Sequence, residues 1–371
     1  MKKNKNSNVL VALSGGVDSA VAAALLLKQG YEVTGAFMIQ YSDTSALQHN
    51  NTAAQCWIND YRDALRVAAH LGIPLLKFDF SKQYKKDVLN YMFAQYKAGR
   101  TPNPDVLCNT YIKFGVWLKK AKESGFSYLA TGHYTHLMKT FQHNNTSTHL
   151  MQAKDKDKDQ TYFLHQLNQE QLSHVLFPIG DYTKPQVRRL AKKFGLPNAE
   201  REESMGICFI GEVPMKKFVK NEIKTKSGNI VLSSGGVIGK HEGLSLYTIG
   251  QRHIGVLSSQ FPVPSNTTRP LYVVDKRLDT NELVVGFEDD PLLYKKEITI
   301  GDLHWVSGQE PTFPLQCQVR LRHRQPLQFS VLSSQSSAIR IQFSKPQRAV
   351  TPGQFAVFYK NKECLGGGVI E

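Results

Sequence analysis

The sequence predicts an α/β protein in which a parallel-sheet domain is followed by a small central domain and a C-terminal antiparallel β-barrel. Over residues 8–135, apolar runs alternate with amphipathic helical segments, as in parallel strands joined by helical crossovers. After residue 213, glycines separate short segments, which is typical of a small, loop-rich domain. From Tyr272 onward, apolar and polar residues alternate with the period of half-buried strands. We therefore expect domains at 1–212, 213–275 and 276–371.

The first domain is expected to contain four parallel strands with helices between them. The apolar run Val9–Leu13 predicts the first strand, and Ala20–Lys28, rich in Ala and Leu, predicts the next helix. Later strands are expected at 31–38, 75–80 and 126–130, and later helices at 61–71, 82–97 and 111–123. Ligands of such sheets bind at the carboxyl ends of the strands. The loops at 14–19, after Met38 and at 131–134 should therefore meet.

The turn after the first strand is Ser14-Gly15-Gly16-Val17-Asp18-Ser19. Its two glycines lack the β-carbons that would keep a ligand from the backbone, and unpaired N–H groups at a helix start favour an anion. Ser14 and Ser19 add hydroxyl donors. Asp18 fits beside a phosphate when a Mg²⁺ lies between them. The alternative is an ordinary strand-to-helix turn, because Ser, Gly and Asp are all turn residues.

The composition favours a nucleic-acid partner. The chain of 371 residues has a formal net charge of +15, and basic groups that neutralise phosphates release counterions. The alternative is that this charge only maintains solubility. No stretch reaches the about 18 consecutive apolar residues of a membrane-spanning helix, and the basic N-terminus lacks a signal-peptide cleavage pattern. We expect a protein of the cytoplasm or of an organelle matrix.

Two further stretches have plainer patterns. Residues 141–148 are rich in Asn and Thr and predict a loose excursion. Thr183 and Pro185 begin a helix that Gly195 ends. The basic side chains of that helix are Lys184, Arg188, Arg189, Lys192 and Lys193. Such a face is either solvated or in contact with RNA.

The cysteines are too far apart for a zinc or thioredoxin pattern. They are Cys56, Cys108, Cys208, Cys317 and Cys364. Cys108 follows a stiff, Pro-rich loop, and a helix is predicted to begin just after it, which would lower the pKa of the thiol. Asp105 is placed to exchange protons with Cys108; the alternative is a buried thiol and a helix cap. Cys208 lies in a glycine-flanked apolar segment, and its neighbours alone favour a core thiol.

Eight blocks along the chain resemble one enzyme family. Residues 14–19 have the SGGxDS signature of the PP-loop ATP pyrophosphatases, which cleave ATP between its α- and β-phosphates. The blocks are SGGVDS (14–19), GRTPNPDVLCN (99–109), ATGHY (130–134), KDQTYFL (158–164), SMGICFIGE (204–212), YTIGQR (247–252), TPGQFAVFY (351–359) and LGGGVI (365–370). In this order they resemble the tRNA-specific 2-thiouridylases, which place sulfur on C2 of the wobble uridine of certain tRNAs.

The resemblance implies a PP-loop domain with a site made of two parts. Mg²⁺ is expected to accompany ATP, and the protein alone is expected to form no metal site. The residues expected to bind ATP are Ala12, Leu13, Ser14, Gly15, Gly16, Val17, Asp18, Ser19, Met38 and Gly132. Cys208 would carry sulfur as a persulfide, and Cys108 would be the nucleophile that forms a transient disulfide with it. Asp105 would act as the acid or base.

The resemblance also implies how tRNA binds. The target base, turned out of the anticodon loop, would contact Asn103, Pro104 and Asp105. The other expected tRNA contacts are His133, Lys158, Asp159, Gln160, Arg322, His323 and Gln354. The expected partners are the anticodon stem-loop of tRNA and a sulfur donor, either a cysteine desulfurase or a sulfur-relay protein, with no membrane.

Three other functions stay open on the residues alone. Another PP-loop enzyme, such as an amidating or argininosuccinate-forming ligase, needs no paired cysteines. An RNA-binding protein without catalysis needs no intact loop at 14–19. A persulfide carrier that uses no ATP is the third alternative.

Overall fold

The computed structural model describes residues 7–39, 52–142, 145–202, 215–255, 269–335 and 338–371. Within these ranges the strands form three sheets of five, four and eight strands. The first sheet confirms the predicted parallel α/β domain, and the third confirms the C-terminal antiparallel barrel. In this part of the chain, no helix combines the length and the hydrophobicity needed to cross a bilayer.

The first sheet is parallel throughout and has the strand order β3-β2-β1-β4-β7. Its strands are β1 (Asn8–Ala12), β2 (Glu32–Ile39), β3 (Leu75–Asp79), β4 (Tyr128–Ala130) and β7 (Val175–Leu176). Four of these follow the sequence prediction closely. The short β7 was not predicted, because a run of two residues carries no periodicity.

Helices cover both faces of this sheet. They are α1 (Val17–Lys28), α2 (Thr52–Leu71), α3 (Ser81–Tyr84), α4 (Asn90–Lys97), α5 (Pro104–Leu107), α6 (Leu118–Glu123), α7 (Gln169–Ser173) and α8 (Lys184–Lys193), with π-helical segments at Lys85–Leu89 and Cys108–Trp117. Successive residues of β1 point to opposite faces. Val9 and Val11 pack into one core with α1 and α8, whereas Leu10 packs into another with Phe114. Since β1 is buried on both faces, it reads as a continuous apolar run.

The predicted loose excursion at 141–148 is wrong. The chain there forms a β-hairpin of β5 (Thr135–Gln142) and β6 (Asn145–Gln152). Threonines and other β-branched residues favour strands, and the polar composition follows from the exposure of the hairpin. Its second strand also pairs with a C-terminal strand, Cys364 lying opposite Leu150. The hairpin therefore joins the first domain to the barrel.

The central domain consists of α9 (Met215–Glu222) and a four-stranded sheet of order β10-β11-β8-β9. Its strands are β8 (Gly228–Leu232), β9 (Val237–His241), β10 (Tyr272–Arg277) and β11 (Glu282–Gly286). The predicted domain boundary at 275/276 therefore falls inside β10, and the central sheet continues to Gly286. The alternation of apolar and polar residues identifies a strand, but it does not show which sheet the strand joins.

The barrel contains β12 (Tyr294–Trp305), β13 (Leu315–Arg320), β14 (Gln328–Gln335), β15 (Ala338–Arg348), β16 (Phe355–Lys360) and β17 (Glu363–Ile370). Pairing between β12 and β17 closes it, which removes the open sheet edges. The predicted alternation is confirmed: Val319, Ile341 and Phe343 lie in the barrel core.

A buried ion pair joins the barrel to the first domain. The Arg320 guanidinium lies 3.1 Å from the Asp159 carboxylate, and these side chains are 8% and 0% exposed. Asp159 also accepts hydrogen bonds from the Thr161 hydroxyl (2.8 Å) and the Ala153 amide (3.1 Å). Removing one member of such a pair leaves an uncompensated buried charge.

We expect Arg320→Met to lower the free energy of unfolding by about 3–5 kcal/mol, because Asp159 would remain buried without its cation. Differential scanning calorimetry should show a lower melting temperature. The matched control is Arg340→Met, since Arg340 pairs with Glu297 at 3.4 Å with both side chains more than 40% exposed. If both variants melt at the same temperature, the Arg320–Asp159 ion pair stabilises the folded protein no more than the exposed pair does.

His165 is fully buried and its ring is neutral. Its Nδ1 lies 2.8 Å from the Tyr162 carbonyl oxygen, and its Nε2 has no partner among the described residues. Burial lowers the pKa of His165 to about 3. An unfolded histidine has a pKa of about 6.5. Between these values the unfolded chain binds a proton that the folded chain excludes.

The free energy of unfolding should therefore fall as the pH drops below about 6.5. Each such histidine lowers it by up to about 1.4 kcal/mol per pH unit. His165→Asn should make this dependence less steep, because the asparagine does not titrate. Urea unfolding between pH 7.5 and 5 measures it. His253→Asn, at an exposed position, is the control; an unchanged slope in His165→Asn would contradict the assignment.

Candidate active site

The glycine-rich turn lies where the sequence predicts, at the carboxyl end of β1 and the start of α1. Gly16 is the N-cap of α1, and among the described residues no side chain caps this helix. Gly15 has a φ of +78°, and a β-carbon there would collide with the Asp60 carbonyl. Only glycine fits this conformation and this space. The turn therefore presents backbone rather than side chains, as an anion site requires.

Two serines hold the turn in shape. The Ser14 amide donates to the Ser19 hydroxyl at 3.2 Å, and that hydroxyl donates to the Gly16 carbonyl at 3.0 Å. The Ser14 and Ser19 hydroxyls lie 3.3 Å apart. Ser14 is exposed and Ser19 is buried. Ser14 is thus the serine whose hydroxyl faces the space in front of the loop.

The back of the turn is held by residues that the sequence analysis missed. The Asn198 side-chain amide and the Arg201 guanidinium donate to the Gly15 carbonyl at 2.8 and 3.1 Å. Arg201 also pairs with Asp60 and Asp63 of α2. No sequence signal identifies these contacts, since Asn198 is 183 positions from Gly15. The contacts of Asn198 and Arg201 therefore connect the turn to α2 and to the chain segment after α8.

Asp18 has a cationic partner that was also missed. The Lys184 ammonium donates to both carboxylate oxygens at 2.7 and 2.8 Å, and the Tyr134 hydroxyl donates at 2.9 Å. The Lys184 side chain is 13% exposed and that of Asp18 is 31% exposed. In the sequence, Lys184 is distinguished only as part of the basic face of α8. Its position at the start of α8, after the capping Thr183, directs it to the turn.

The end of β4 closes the site from the other side. A β-carbon on Gly132 would lie 2.7 Å from the Ser19 amide nitrogen, so the backbone after β4 touches the first turn of α1. Met38 lies in β2, next to β1, and is partly buried. The predicted meeting of the loop at 14–19 with the loop at 131–134 is confirmed. The third loop of that prediction, after Met38, lies outside the described residues from position 40 to 51.

The helix bearing Asp105 and Cys108 begins earlier than predicted. Asn103 is the N-cap of α5, its side chain accepting from the Val106 amide at 3.4 Å, and Pro104 occupies the first turn. Cys108 therefore lies beyond the first turn, and the predicted helix start just after Cys108 is wrong. Its side chain is fully buried in the core with Ile112.

The other cysteines fall into two groups. Cys317 and Cys364 are buried thiols, and burial raises the pKa of Cys317 to about 11 and raises the pKa of Cys364 further. Both are therefore core thiols. Cys208, the expected persulfide carrier, and the Cys56 side chain lie outside the described residues.

Several residues expected to contact tRNA are engaged within the protein. His133 is buried and burial lowers its pKa well below the ordinary range; its Nδ1 lies 2.7 Å from the Thr131 hydroxyl. The Asp159 carboxylate has no exposed surface, so a direct contact of this side chain with RNA is incompatible with its burial. Arg322 is exposed, while His323 is partly buried with Nε2 3.0 Å from the Asp159 carbonyl. Lys158 and Gln160 are partly exposed.

The parallel sheet, its glycine turn and the attached barrel define a PP-loop protein of the α/β class. Family profiles match all three domains: a tRNA methyl transferase HUP domain at 7–212, a PRC-barrel domain at 216–287 and an aminomethyltransferase β-barrel domain at 295–370. The chain belongs to the family of the tRNA-specific 2-thiouridylase MnmA.

Curated relatives support that membership over nearly the full length. The tRNA-specific 2-thiouridylase MnmA of Coxiella burnetii is 46% identical over 372 residues, covering 99% of this chain and 98% of the relative. The protein of the same name from Legionella pneumophila is 44% identical, covering 98% of each chain. A solved 4-thiouridine synthetase–RNA complex with bound ATP has 16% identity and a TM-score of 0.35, covering 58% of this chain and 50% of that one.

Lys184→Met should weaken binding of a non-hydrolysable ATP analogue by about tenfold or more, because a charge-assisted contact is lost and Asp18 would face the phosphates unpaired. Isothermal titration calorimetry measures the dissociation constant. Lys192→Met is the control, since Lys192 is on the same helix but pairs with Glu200 at the surface. Equal affinities in the two variants would contradict a role for Lys184 in nucleotide binding.

Proposed function

We propose that this protein is a tRNA-uridine 2-sulfurtransferase: it uses ATP to convert the wobble uridine of tRNA (U34) to 2-thiouridine, releasing AMP and pyrophosphate. The observation that carries the proposal is the 46% identity to a 2-thiouridylase across all three domains. The glycine turn at 14–19 would bind the phosphates of ATP, and the helix of Asp105 and Cys108 would supply the groups for sulfur transfer.

The first step is adenylation of the uridine. A carbonyl oxygen on C2 is a poor leaving group, so it must be activated before sulfur replaces it. The oxygen attacks the α-phosphorus of ATP and pyrophosphate leaves. Gly15 and Gly16 allow the phosphates to approach the backbone, and the N-terminus of α1 and Lys184 stabilise their negative charge. Ala12, Leu13, Ser14, Val17, Asp18 and Ser19 complete this side of the site, with Met38 and Gly132 beside the adenosine.

We propose that a Mg²⁺ accompanies the nucleotide and that Asp18 would be its ligand from the protein. Asp18 provides one partly exposed carboxylate, and the described residues contain no cluster of three or more His, Cys, Asp or Glu side chains able to hold a metal ion. A single carboxylate, with phosphate oxygens and water as the other ligands, is the usual magnesium environment in nucleotide enzymes. The ion would neutralise phosphate charge. The Lys184 ammonium would stabilise the phosphate charge that Mg²⁺ leaves unneutralised.

The second step is sulfur transfer. The terminal sulfur of a Cys208 persulfide attacks C2, and AMP leaves with the former uridine oxygen. Cys108 then attacks the Cys208 sulfur, which releases 2-thiouridine and leaves a Cys108–Cys208 disulfide. An external thiol reduces this disulfide, and a cysteine desulfurase or a sulfur-relay protein restores the persulfide. Asp105, three residues before Cys108 in the chain, would accept the thiol proton.

The tRNA lies across the basic surface. The net charge of +15 favours the phosphate backbone. Arg322 and His323 of the barrel, and Lys158 and Gln160 of the first domain, have exposed surface for contact with tRNA, whereas His133 is buried. The target base leaves the anticodon loop to reach Asn103 and Pro104. A tRNA substrate also favours the cytoplasm as the site of action.

Cys108→Ser and Cys208→Ser should each abolish 2-thiouridine formation while ATP still adenylates the tRNA, because the cysteines act only after activation. Asp18→Ala should lose both steps. Nucleoside mass analysis of tRNA incubated with the enzyme and a persulfide donor measures thiolation, and pyrophosphate release measures adenylation.

Cys317→Ser is the matched control, since Cys317 lies in the barrel core. It should retain thiolation. Full turnover in Cys208→Ser would refute sulfur transfer by this route, and normal 2-thiouridine in a deletion strain would refute the proposed function.

A further inference from the structure

All three domains meet at the loop of residues 99–103, which we call the junction loop. A β-carbon on Gly99 would lie 2.5 Å from the Leu278 side chain of the central domain. The Thr101 hydroxyl lies 3.3 Å from the hydroxyl of Thr248, also in the central domain. The Thr101 amide donates to the Pro352 carbonyl of the barrel at 2.9 Å. The junction loop is therefore shaped by both accessory domains.

The side-chain amide of Gln354, in the barrel, forms hydrogen bonds with this loop through both its nitrogen and its oxygen. The Gln354 Nε2 donates to the Thr101 carbonyl at 2.9 Å and to the Pro102 carbonyl at 3.2 Å. Its Oε1 accepts from the Asn103 side-chain amide at 3.3 Å. Three consecutive residues of the junction loop are thus held by Gln354. A planar amide with two donors and an acceptor suits this pattern.

The backbone of Gln354 is itself fixed. Its carbonyl accepts from the Ile370 amide at 2.8 Å, and the amide of the preceding Gly353 donates to the Ile370 carbonyl at 2.9 Å. Gly353 has a φ of +89°, and a β-carbon on it would lie 3.0 Å from the Arg100 β-carbon. The barrel therefore approaches the junction loop closely and rigidly at this point.

The loop in turn sets the helix that carries the chemistry. Asn103 donates to Gln354 through Nδ2 and caps α5 through Oδ1. The orientation of this one side chain is thereby tied to the barrel at one end and to the helix start at the other. Asp105 and Cys108 follow within the next five residues.

We propose that Gln354 is a positioning residue, through which the barrel holds Asn103 and the start of the helix bearing Asp105 and Cys108. Its amide acts inside the protein, on the junction loop. Its effect on turnover rests on the proposed sulfurtransferase function. Its effect on the conformation of the loop does not.

The test compares Gln354→Ala and the milder Gln354→Asn with Gln342→Ala, an exposed glutamine of the same barrel. Hydrogen–deuterium exchange of the full-length protein without tRNA is followed in peptides covering 99–109. We expect exchange there to be about tenfold faster in Gln354→Ala, intermediate in Gln354→Asn and unchanged in Gln342→Ala. Peptides covering 184–193 report on any general loss of structure.

Enzyme assays supply the second arm. We expect kcat for 2-thiouridine formation to fall at least tenfold in Gln354→Ala, with the Kd for tRNA within about twofold of wild type. A weakened Kd with unchanged exchange would overturn the proposal and make Gln354 an RNA contact. Exchange equal to wild type in both variants would overturn it as well. Faster exchange in a protein that never forms 2-thiouridine would refute the proposed function and leave the positioning role standing.

Discussion

The close backbone contact between the end of β4 and the first turn of α1 is the constraint on which the site depends. Gly132 permits that contact because it has no β-carbon, and Gly15 permits the left-handed turn before α1. A side chain on Gly132 would push α1 away from the end of β4, and one on Gly15 would collide with the Asp60 carbonyl of α2. The N–H groups at the start of α1 would then no longer converge on one point. The anion site is therefore a product of packing at two glycines more than of any side chain.

Each cationic side chain at the turn lies beside one or two carboxylates. Lys184 compensates Asp18, and Arg201 is compensated by Asp60 and Asp63. Partly buried charges remain ionised at low cost only when each has a partner. The pairing also gives the site a fixed shape before any ligand enters. Such preorganisation lowers the cost of stabilising new negative charge.

The barrel is part of the structural core of the first domain and more than an attachment to it. Phe355 and Val357 of β16 belong to the same apolar core as Phe114 and Trp117 of the first domain. The β5–β6 hairpin extends the barrel sheet, and the Arg320–Asp159 pair lies between the two units. The barrel thus shares one packed core with the helix that carries Cys108.

The parallel sheet, the glycine turn and the alternating strands of the barrel follow from the amino-acid pattern, because each depends on periodicity or on residues adjacent in the chain. Local signals also singled out Asp105 and Cys108 as candidates, although they misplaced the helix start, since the capping Asn103 was not recognised. The tertiary structure alone decided which residues complete the site. Lys184 reaches Asp18 from 166 positions away, and Gln354 reaches Thr101 from 253 positions away. Contacts of that separation leave no periodic trace in a single sequence, because they arise only when the packed sheets bring distant segments together.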